Sequence, residues 1–150
     1  MVATVDVSGR RLAMSTDSDI ALASGDLAAA VGGKATVVVV DDDALGRGVL
    51  AHLLQRLGYA VAEAASGIEA QSLAGGRRID LLLAKFSALG SNGVELVKWF
   101  SANRPETKVL VAADWWWEVE SCVGDLPRVG IFAAEFTPPE RARMVHAVLR

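Results

Sequence analysis

The chain has 150 residues, of which 52% are hydrophobic and 22% are charged. This is enough apolar sequence for a buried core, and it excludes an intrinsically disordered protein. The net charge of −3 gives no basic footprint for nucleic acid, no run of about 18 apolar residues indicates a membrane span, and the single cysteine excludes an internal disulfide. We expect one soluble, cytoplasmic domain, with or without a tail, that has neither nucleic-acid nor membrane partners.

Residues 1–34 differ in composition from the rest, being rich in Ala, Ser, Asp and Gly and poor in large apolar side chains. The segment ATVDVSGRRLAM fits a small hairpin that turns at Ser8-Gly9, and residues 17–31 have a weak helical periodicity that ends before Gly32-Gly33. We interpret residues 1–34 as an N-terminal arm. It is either a flexible extension or an ordered arm or dimerisation element.

From residue 36 onward, strand-like and helix-like segments alternate. Five short apolar runs predict strands at residues 36–40, 59–64, 79–84, 108–113 and 129–134. Five segments with helical periodicity predict helices at residues 44–57, 67–73, 94–102, 116–123 and 138–150. Strands and helices that alternate through short loops predict a parallel sheet covered on both faces, which is a doubly wound α/β fold.

The first predicted helix carries Leu45, Val49, Leu53 and Leu57 on one face, which predicts that this face packs on the sheet. The second helix is expected to end at Gly75-Gly76, because paired glycines stop helices.

In a doubly wound sheet the functional site lies at the carboxyl ends of the strands. Those ends carry Asp41 to Asp43, Lys85, Ala113 and Glu135. No glycine-rich phosphate loop follows the first strand, which argues against nucleotide binding.

Four short motifs, VDDD at residues 40–43, GY at 58–59, SGIEA at 66–70 and NG at 92–93, stand at a family-specific spacing. As a set they closely resemble the receiver domain of bacterial response regulators, over residues 35–150. The resemblance implies a five-stranded flavodoxin-like sheet with strand order 2-1-3-4-5.

In that family an acidic pair after the first strand holds magnesium, and an aspartate ending the third strand accepts a phosphoryl group from a histidine kinase. A Ser or Thr ending the fourth strand and a Lys ending the fifth contact the phosphoryl oxygens. The resemblance places Asp41 and Asp42 at the acidic pair, Lys85 at the nucleophile, Ala113 at the hydroxyl and Glu135 at the lysine. An ammonium cannot form an acyl phosphate, so the resemblance implies a degenerate receiver that is not an enzyme.

The two replaced charges suggest a structural hypothesis. Lys85 and Glu135 would face each other as a pair of reversed polarity, with the ammonium also near Asp41 and Asp42. We therefore expect no cofactor and weak or absent magnesium binding. The alternative is that the Lys85 side chain extends into solvent.

Trp115, Trp116 and Trp117 cannot all face one core, because neighbours on a helix point about 100° apart. At least one is expected to be exposed or covered by a partner. In receivers the last two helices and the last strand form the usual surface for dimerisation and signalling, so the resemblance implies an interaction surface here. The alternative is packing onto the domain itself or onto the N-terminal arm.

The remaining candidates for chemistry are His52, His146 and Cys122. No second histidine or cysteine stands at ligand spacing, so we expect no metal site, and both histidines are expected at the surface or half-buried. Cys122 is expected to be a small buried residue.

The sequence thus indicates a pseudo-receiver that acts in bacterial signal transduction through a protein partner, a covalently linked output domain or a homodimer. One alternative is a ligand-sensing module that binds a small molecule in the altered pocket. Another is a working phosphoacceptor that uses Asp42 or Asp43.

Overall fold

The structure is a computed structural model that describes residues 3–5, 11–13 and 35–149. In these residues the strands are β1 Ala3–Val5, β2 Arg11–Ala13, β3 Thr36–Val40, β4 Ala60–Ala64, β5 Leu81–Lys85, β6 Lys108–Ala113 and β7 Val129–Ala133. The α-helices are α1 Ala44–Arg56, α2 Gly67–Gly76, α3 Gly93–Asn103, α4 Trp116–Val123 and α5 Pro138–Leu149, and Phe86–Leu89 forms a 3₁₀ turn after β5.

Strands β3 to β7 form a parallel sheet in the order β4-β3-β5-β6-β7. Numbered from β3, this is the predicted order 2-1-3-4-5, and the doubly wound fold is confirmed. In-register pairing, such as Val40 with Ala84, brings the carboxyl ends of neighbouring strands to the same edge of the sheet.

Helices cover both faces of the sheet and bury a separate core on each. Helices α1 and α5 pack on one face, where Leu54, Phe132 and Val145 are fully buried. Helices α2, α3 and α4 pack on the other, around Leu82 and Phe100. None of the helices that the structure describes has the length and apolar sequence needed to cross a membrane.

The predicted apolar face of α1 is only partly buried, since Leu57 packs against the core. Leu45 and Val49 are exposed, and the helix buries Leu50, Ala51 and Leu54 instead. The sequence of α1 contains two overlapping apolar stripes, and helical periodicity alone does not choose between them. The path of the chain from β3 into the helix decides which stripe meets the sheet.

Helix α2 runs three residues beyond the predicted Leu73 and ends at Gly76, with Arg77 as its C-cap, so the predicted stop at the glycine pair is confirmed. A glycine weakens a helix by about 1 kcal/mol relative to alanine but does not forbid it. The start of α2 is well defined, because the backbone N–H of Glu69 donates to Ser66 Oγ at 3.3 Å and Glu69 Oε2 accepts from the Ala65 N–H at 2.6 Å.

Antiparallel pairing of β1 with β2, in which Val5 lies opposite Arg11, confirms a hairpin, whose predicted turn at Ser8-Gly9 lies outside the described residues. The hairpin extends the sheet beyond β7. The helix predicted at residues 17–31 lies outside the described residues.

Candidate functional site

The carboxyl ends of β3, β5, β6 and β7 meet at one edge of the sheet and form the candidate site. Asp41 and Asp42 follow β3, Lys85 ends β5, and Ala113 ends β6. Glu135 lies two residues beyond the end of β7, so all five candidate residues are at the carboxyl ends of the strands.

Asp41 is held firmly, and only 8% of the residue is exposed. Its backbone N–H donates to the Ala64 carbonyl at 3.1 Å, and its Oδ1 accepts from the Asp43 N–H at 2.9 Å. Nη1 of Arg47 donates to the Asp41 carbonyl at 2.7 Å. Asp41 therefore fixes the turn that leads from β3 into α1.

Arg47 also lies 3.0 Å from Glu63 Oε1 through its Nε atom. One guanidinium in α1 thus contacts both the end of β3 and the middle of the outer strand β4. Neither Arg47 nor Glu63 is marked by a sequence pattern, because the two residues meet only after the strands pair.

Arg141 is a second cation that sequence reasoning missed. Its guanidinium donates to the carbonyls of Phe136, at 2.9 Å, and Ala134, and it lies over the Phe132 ring. Burial lowers the pKa of Arg141 below its usual value, while the negative charge of Asp41 opposes that shift. Arg141 therefore fastens the β7–α5 connection and supplies positive charge near Asp41.

Lys85 Nζ lies 3.8 Å from Asp42 Oδ1. The side chains are 34% and 60% exposed, respectively, so water screens the pair. Such a contact contributes about 0–1 kcal/mol to stability. It places an ammonium beside the acidic residues without burying it.

The predicted ion pair between Lys85 and Glu135 is not formed. Glu135 is exposed, whereas Ala134 lines a cavity together with Lys85. The reason lies in the turn after β7, in which Phe136 is buried against Phe132 and its N–H bonds to the Ala133 carbonyl at 3.3 Å. Burial of Phe136 leaves the neighbouring Glu135 directed outward.

A cavity of about 140 Å³ lies at the ends of β5, β6 and β7. Lys85 and Ser87 line one part of it, and Ala113, Trp115 and Ala134 line another. Ala113 and Ala134 offer methyl groups here, so neither side chain can hydrogen-bond to a ligand.

The resemblance implies a magnesium ion at this edge, but the residues present do not fit one. The acidic donors are Asp41, whose Oδ1 already accepts a backbone bond, and Asp42, which lies beside the Lys85 ammonium. Within the described residues, no group of three or more His, Cys, Asp or Glu side chains is arranged to hold a metal. A neighbouring cation opposes a dication at the same carboxylate.

The three consecutive tryptophans lie in different surroundings. Trp116 packs against the core on the α4 face, whereas Trp115 and Trp117 are 63% and 50% exposed. The rings of Trp115 and Trp117 meet edge to face, with centroids 5.5 Å apart. The expectation that at least one indole is exposed is confirmed.

The remaining candidates fall outside the site. His52 is exposed, and His146 is half-buried with Nδ1 at 3.4 Å from the Tyr59 hydroxyl, as expected for surface or half-buried histidines. The prediction that Cys122 is buried is wrong, because α4 buries Val119 and Val123 and leaves Cys122 on its outer side.

The family model of the response regulator receiver domain matches residues 37–116, which is just over half of the chain. A search of curated proteins found no match.

Solved structures with the same fold include a chemotaxis response regulator of Vibrio cholerae, which is 26% identical with a TM-score of 0.64 and covers 77% of this chain and 98% of that one. A Burkholderia pseudomallei response regulator with a phosphorylated aspartic acid is 24% identical with a TM-score of 0.65, covering 78% and 67%. An orphan response regulator of H. pylori is 17% identical with a TM-score of 0.70, covering 80% and 100%. The sheet order, the acidic pair after β3 and the match over half its length show that the chain belongs to the response regulator receiver domain family of two-component signalling.

Proposed function

We propose that this chain is a pseudo-receiver, a cytoplasmic signalling module that works without phosphorylation and acts through protein contacts. The observation that carries the proposal is Lys85, whose ammonium lies beside Asp42 at the end of β5. The resemblance assigns this position to the phosphoaccepting aspartate. Phosphoryl transfer to a receiver needs a carboxylate nucleophile, and an ammonium cannot form an acyl phosphate.

The other replacements point the same way. Ala113 and Ala134 supply neither a hydroxyl nor a cation to phosphoryl oxygens, and positive charge near the acidic pair comes from Lys85, beside Asp42, and from Arg141, near Asp41. Cations that lie beside the acidic pair oppose the binding of a dication there. We propose that the site binds magnesium weakly or not at all and catalyses no reaction.

The decisive experiment is incubation with acetyl phosphate and magnesium, followed by intact-mass measurement. The wild-type chain should gain no phosphoryl group. Lys85→Asp, which restores the carboxylate, should gain one, and Lys85→Asn is the matched control of nearly equal size that should not. A phosphoryl group on the wild type that Asp42→Asn or Asp43→Asn removes would overturn the proposal and show a working phosphoacceptor.

We further propose that Trp115 and Trp117 anchor the protein contact, whether the partner is a second copy, another protein or a linked output domain. Both rings are exposed on α4 while Trp116 holds the helix to the core. Exposed tryptophans are frequent anchors of protein interfaces, and each can contribute 2 kcal/mol or more, about thirtyfold in affinity.

Self-association is the first form of this contact to test, by light scattering over a dilution series. Combined Trp115→Ala and Trp117→Ala substitutions should lower the average mass at a given concentration. Combined Leu45→Ala and Val49→Ala substitutions remove exposed apolar side chains from α1 and should leave the average mass unchanged. Equal effects of the two double variants would contradict a specific role for the tryptophans.

The cavity favours a second candidate function, that of a small-molecule sensor. Its lining combines the Lys85 ammonium with the Trp115 ring, a pairing suited to a small anion with an apolar part. Thermal-shift measurements with nucleotides and metabolites test this candidate. A stabilising compound should lose its effect in Lys85→Met, whereas an effect that persists there would place its binding elsewhere.

A further inference from the structure

The parallel sheet has two outer strands, β4 and β7, which differ in how their outer edges are protected. On β4, Glu63 is exposed within the strand and forms an ion pair with Arg47. A charged side chain on an outer strand opposes the addition of a further strand. Strand β4 therefore has a protection of its own.

Strand β7 has no such protection. Its sequence, Val-Gly-Ile-Phe-Ala, contains neither a charge nor a proline, and all five residues are buried. Its side chains pack beneath α4 and α5, so they cannot shield the backbone edge. An uncharged apolar strand with an open row of N–H and C=O groups pairs readily with other chains.

The N-terminal hairpin covers this edge. β1 runs antiparallel to β7 through a single residue pair, Thr4 with Phe132, whereas β1 and β2 pair through three. The strand pairing of β1 to β7 is thus shorter than its pairing to β2. It also lies outside the part of the chain that matches the receiver family model.

We propose that the outer edge of β7 is a strand-binding site whose resident occupant is β1 of the same chain. The short pairing holds β1 mainly because it is tethered, with an effective concentration on the order of millimolar. A partner that binds here must present an extended strand and displace the hairpin. The hairpin therefore acts as an autoinhibitory cap on this edge, independently of the proposal about Lys85.

Hydrogen–deuterium exchange on the full chain tests the cap. Thr4→Pro removes an amide donor and fixes a backbone angle within β1, which disrupts its pairing. The β7 amides that do not bond to β6 should then exchange at least about tenfold faster than in wild type. Thr16→Pro, the same substitution beyond the end of β2, should leave them unchanged.

The amides of β6 report whether the variant keeps its fold, because β6 lies inside the sheet between β5 and β7. They should exchange equally slowly in all three proteins. Unchanged β7 exchange in Thr4→Pro would overturn the proposal.

A synthetic peptide of residues 1–14, added to Thr4→Pro, tests strand binding itself. It should restore slow exchange in β7 and should not slow β7 exchange further in the wild type, whose edge is occupied. Failure to restore slow exchange, or equal slowing in both proteins, would show that the edge does not select a strand and would overturn the assignment.

Discussion

The end of β3 and the ends of β5, β6 and β7 meet at one edge of the sheet, but their side chains make different kinds of contact. At β3, Asp41 is buried and each of its backbone and side-chain contacts is made within the protein. At the other strands, Lys85 is one-third exposed, while Ala113 and Ala134 line a cavity without making a hydrogen bond through their side chains.

This contrast distinguishes side chains that hold the fold together from side chains that only line the site. Asp41 builds the turn into α1, so its carboxylate has a structural role that does not depend on phosphotransfer. Ala113, at the position that the resemblance assigns to the hydroxyl, makes no such contact, because its side chain is only a methyl group. Substitution of Asp41 is therefore expected to destabilise the protein more than substitution of Lys85 or Ala113.

The largest effect is expected at Arg141. Arg141→Met removes two hydrogen bonds to the Phe136 and Ala134 carbonyls and the positive charge near Asp41. We expect the free energy of unfolding to fall by about 2–3 kcal/mol, measured by urea denaturation. Arg141→Lys keeps the charge but not the paired geometry and should lose about half as much. Equal losses would mean that charge has no part in the effect.

Asp41→Ala should cost about 1–2 kcal/mol in the same measurement, because the Asp43 N–H loses its acceptor and Arg141 loses its nearby negative charge. Asp42→Ala is the matched control one residue away. Asp42 is 60% exposed, so its removal should cost less than about 0.5 kcal/mol. If Asp42→Ala were as destabilising as Asp41→Ala, the two carboxylates would not differ in role.

Much of the fold is predictable from the sequence. β3, β6 and α4 have the predicted limits, because buried strands in an α/β protein are short, uninterrupted apolar runs that turns and helices separate. Local sequence is sufficient to predict a helix or strand wherever a segment has a single hydrophobic periodicity or is uniformly apolar. The strand order then follows from the family resemblance.

The parts of the site that sequence reasoning missed depend on contacts between distant residues. Arg47 reaches Glu63 only after β3 and β4 pair, and Arg141 contacts carbonyls of the turn that precedes its own helix. The error at Glu135 has a similar origin, because burial of Phe136 against Phe132 decides which residue of that turn faces the cavity. The order of residue types along the chain does not predict how these side chains pack.

Lys85→Met should change the free energy of unfolding by less than about 1 kcal/mol, since it removes a screened ion pair and keeps the length of the side chain. The difference between variant and wild type should shrink further in about 1 M salt. A loss well above 1 kcal/mol that salt does not reduce would mean that Lys85 is a structural residue like Asp41.

The smallest effect at neutral pH is expected at Tyr59, which packs on the α1–α5 face, near the helices that hold Arg47 and Arg141. Burial raises the pKa of the Tyr59 hydroxyl above 10.0, so the folded state favours the neutral form. The contribution of this hydroxyl to the free energy of unfolding is therefore fully present below about pH 10. It is lost as the pH rises through the folded-state pKa, because the unfolded chain releases the proton at lower pH than the folded chain does.

Tyr59 is the only tyrosine in the chain, so phenolate absorbance reports this one group. It should titrate at higher pH in the folded protein than in urea. When the pH is raised from about 9 to 11, the free energy of unfolding should fall less in Tyr59→Phe than in wild type. The difference between these two falls should arise only toward the alkaline end of the range. Identical losses would show that Tyr59 does not govern this range.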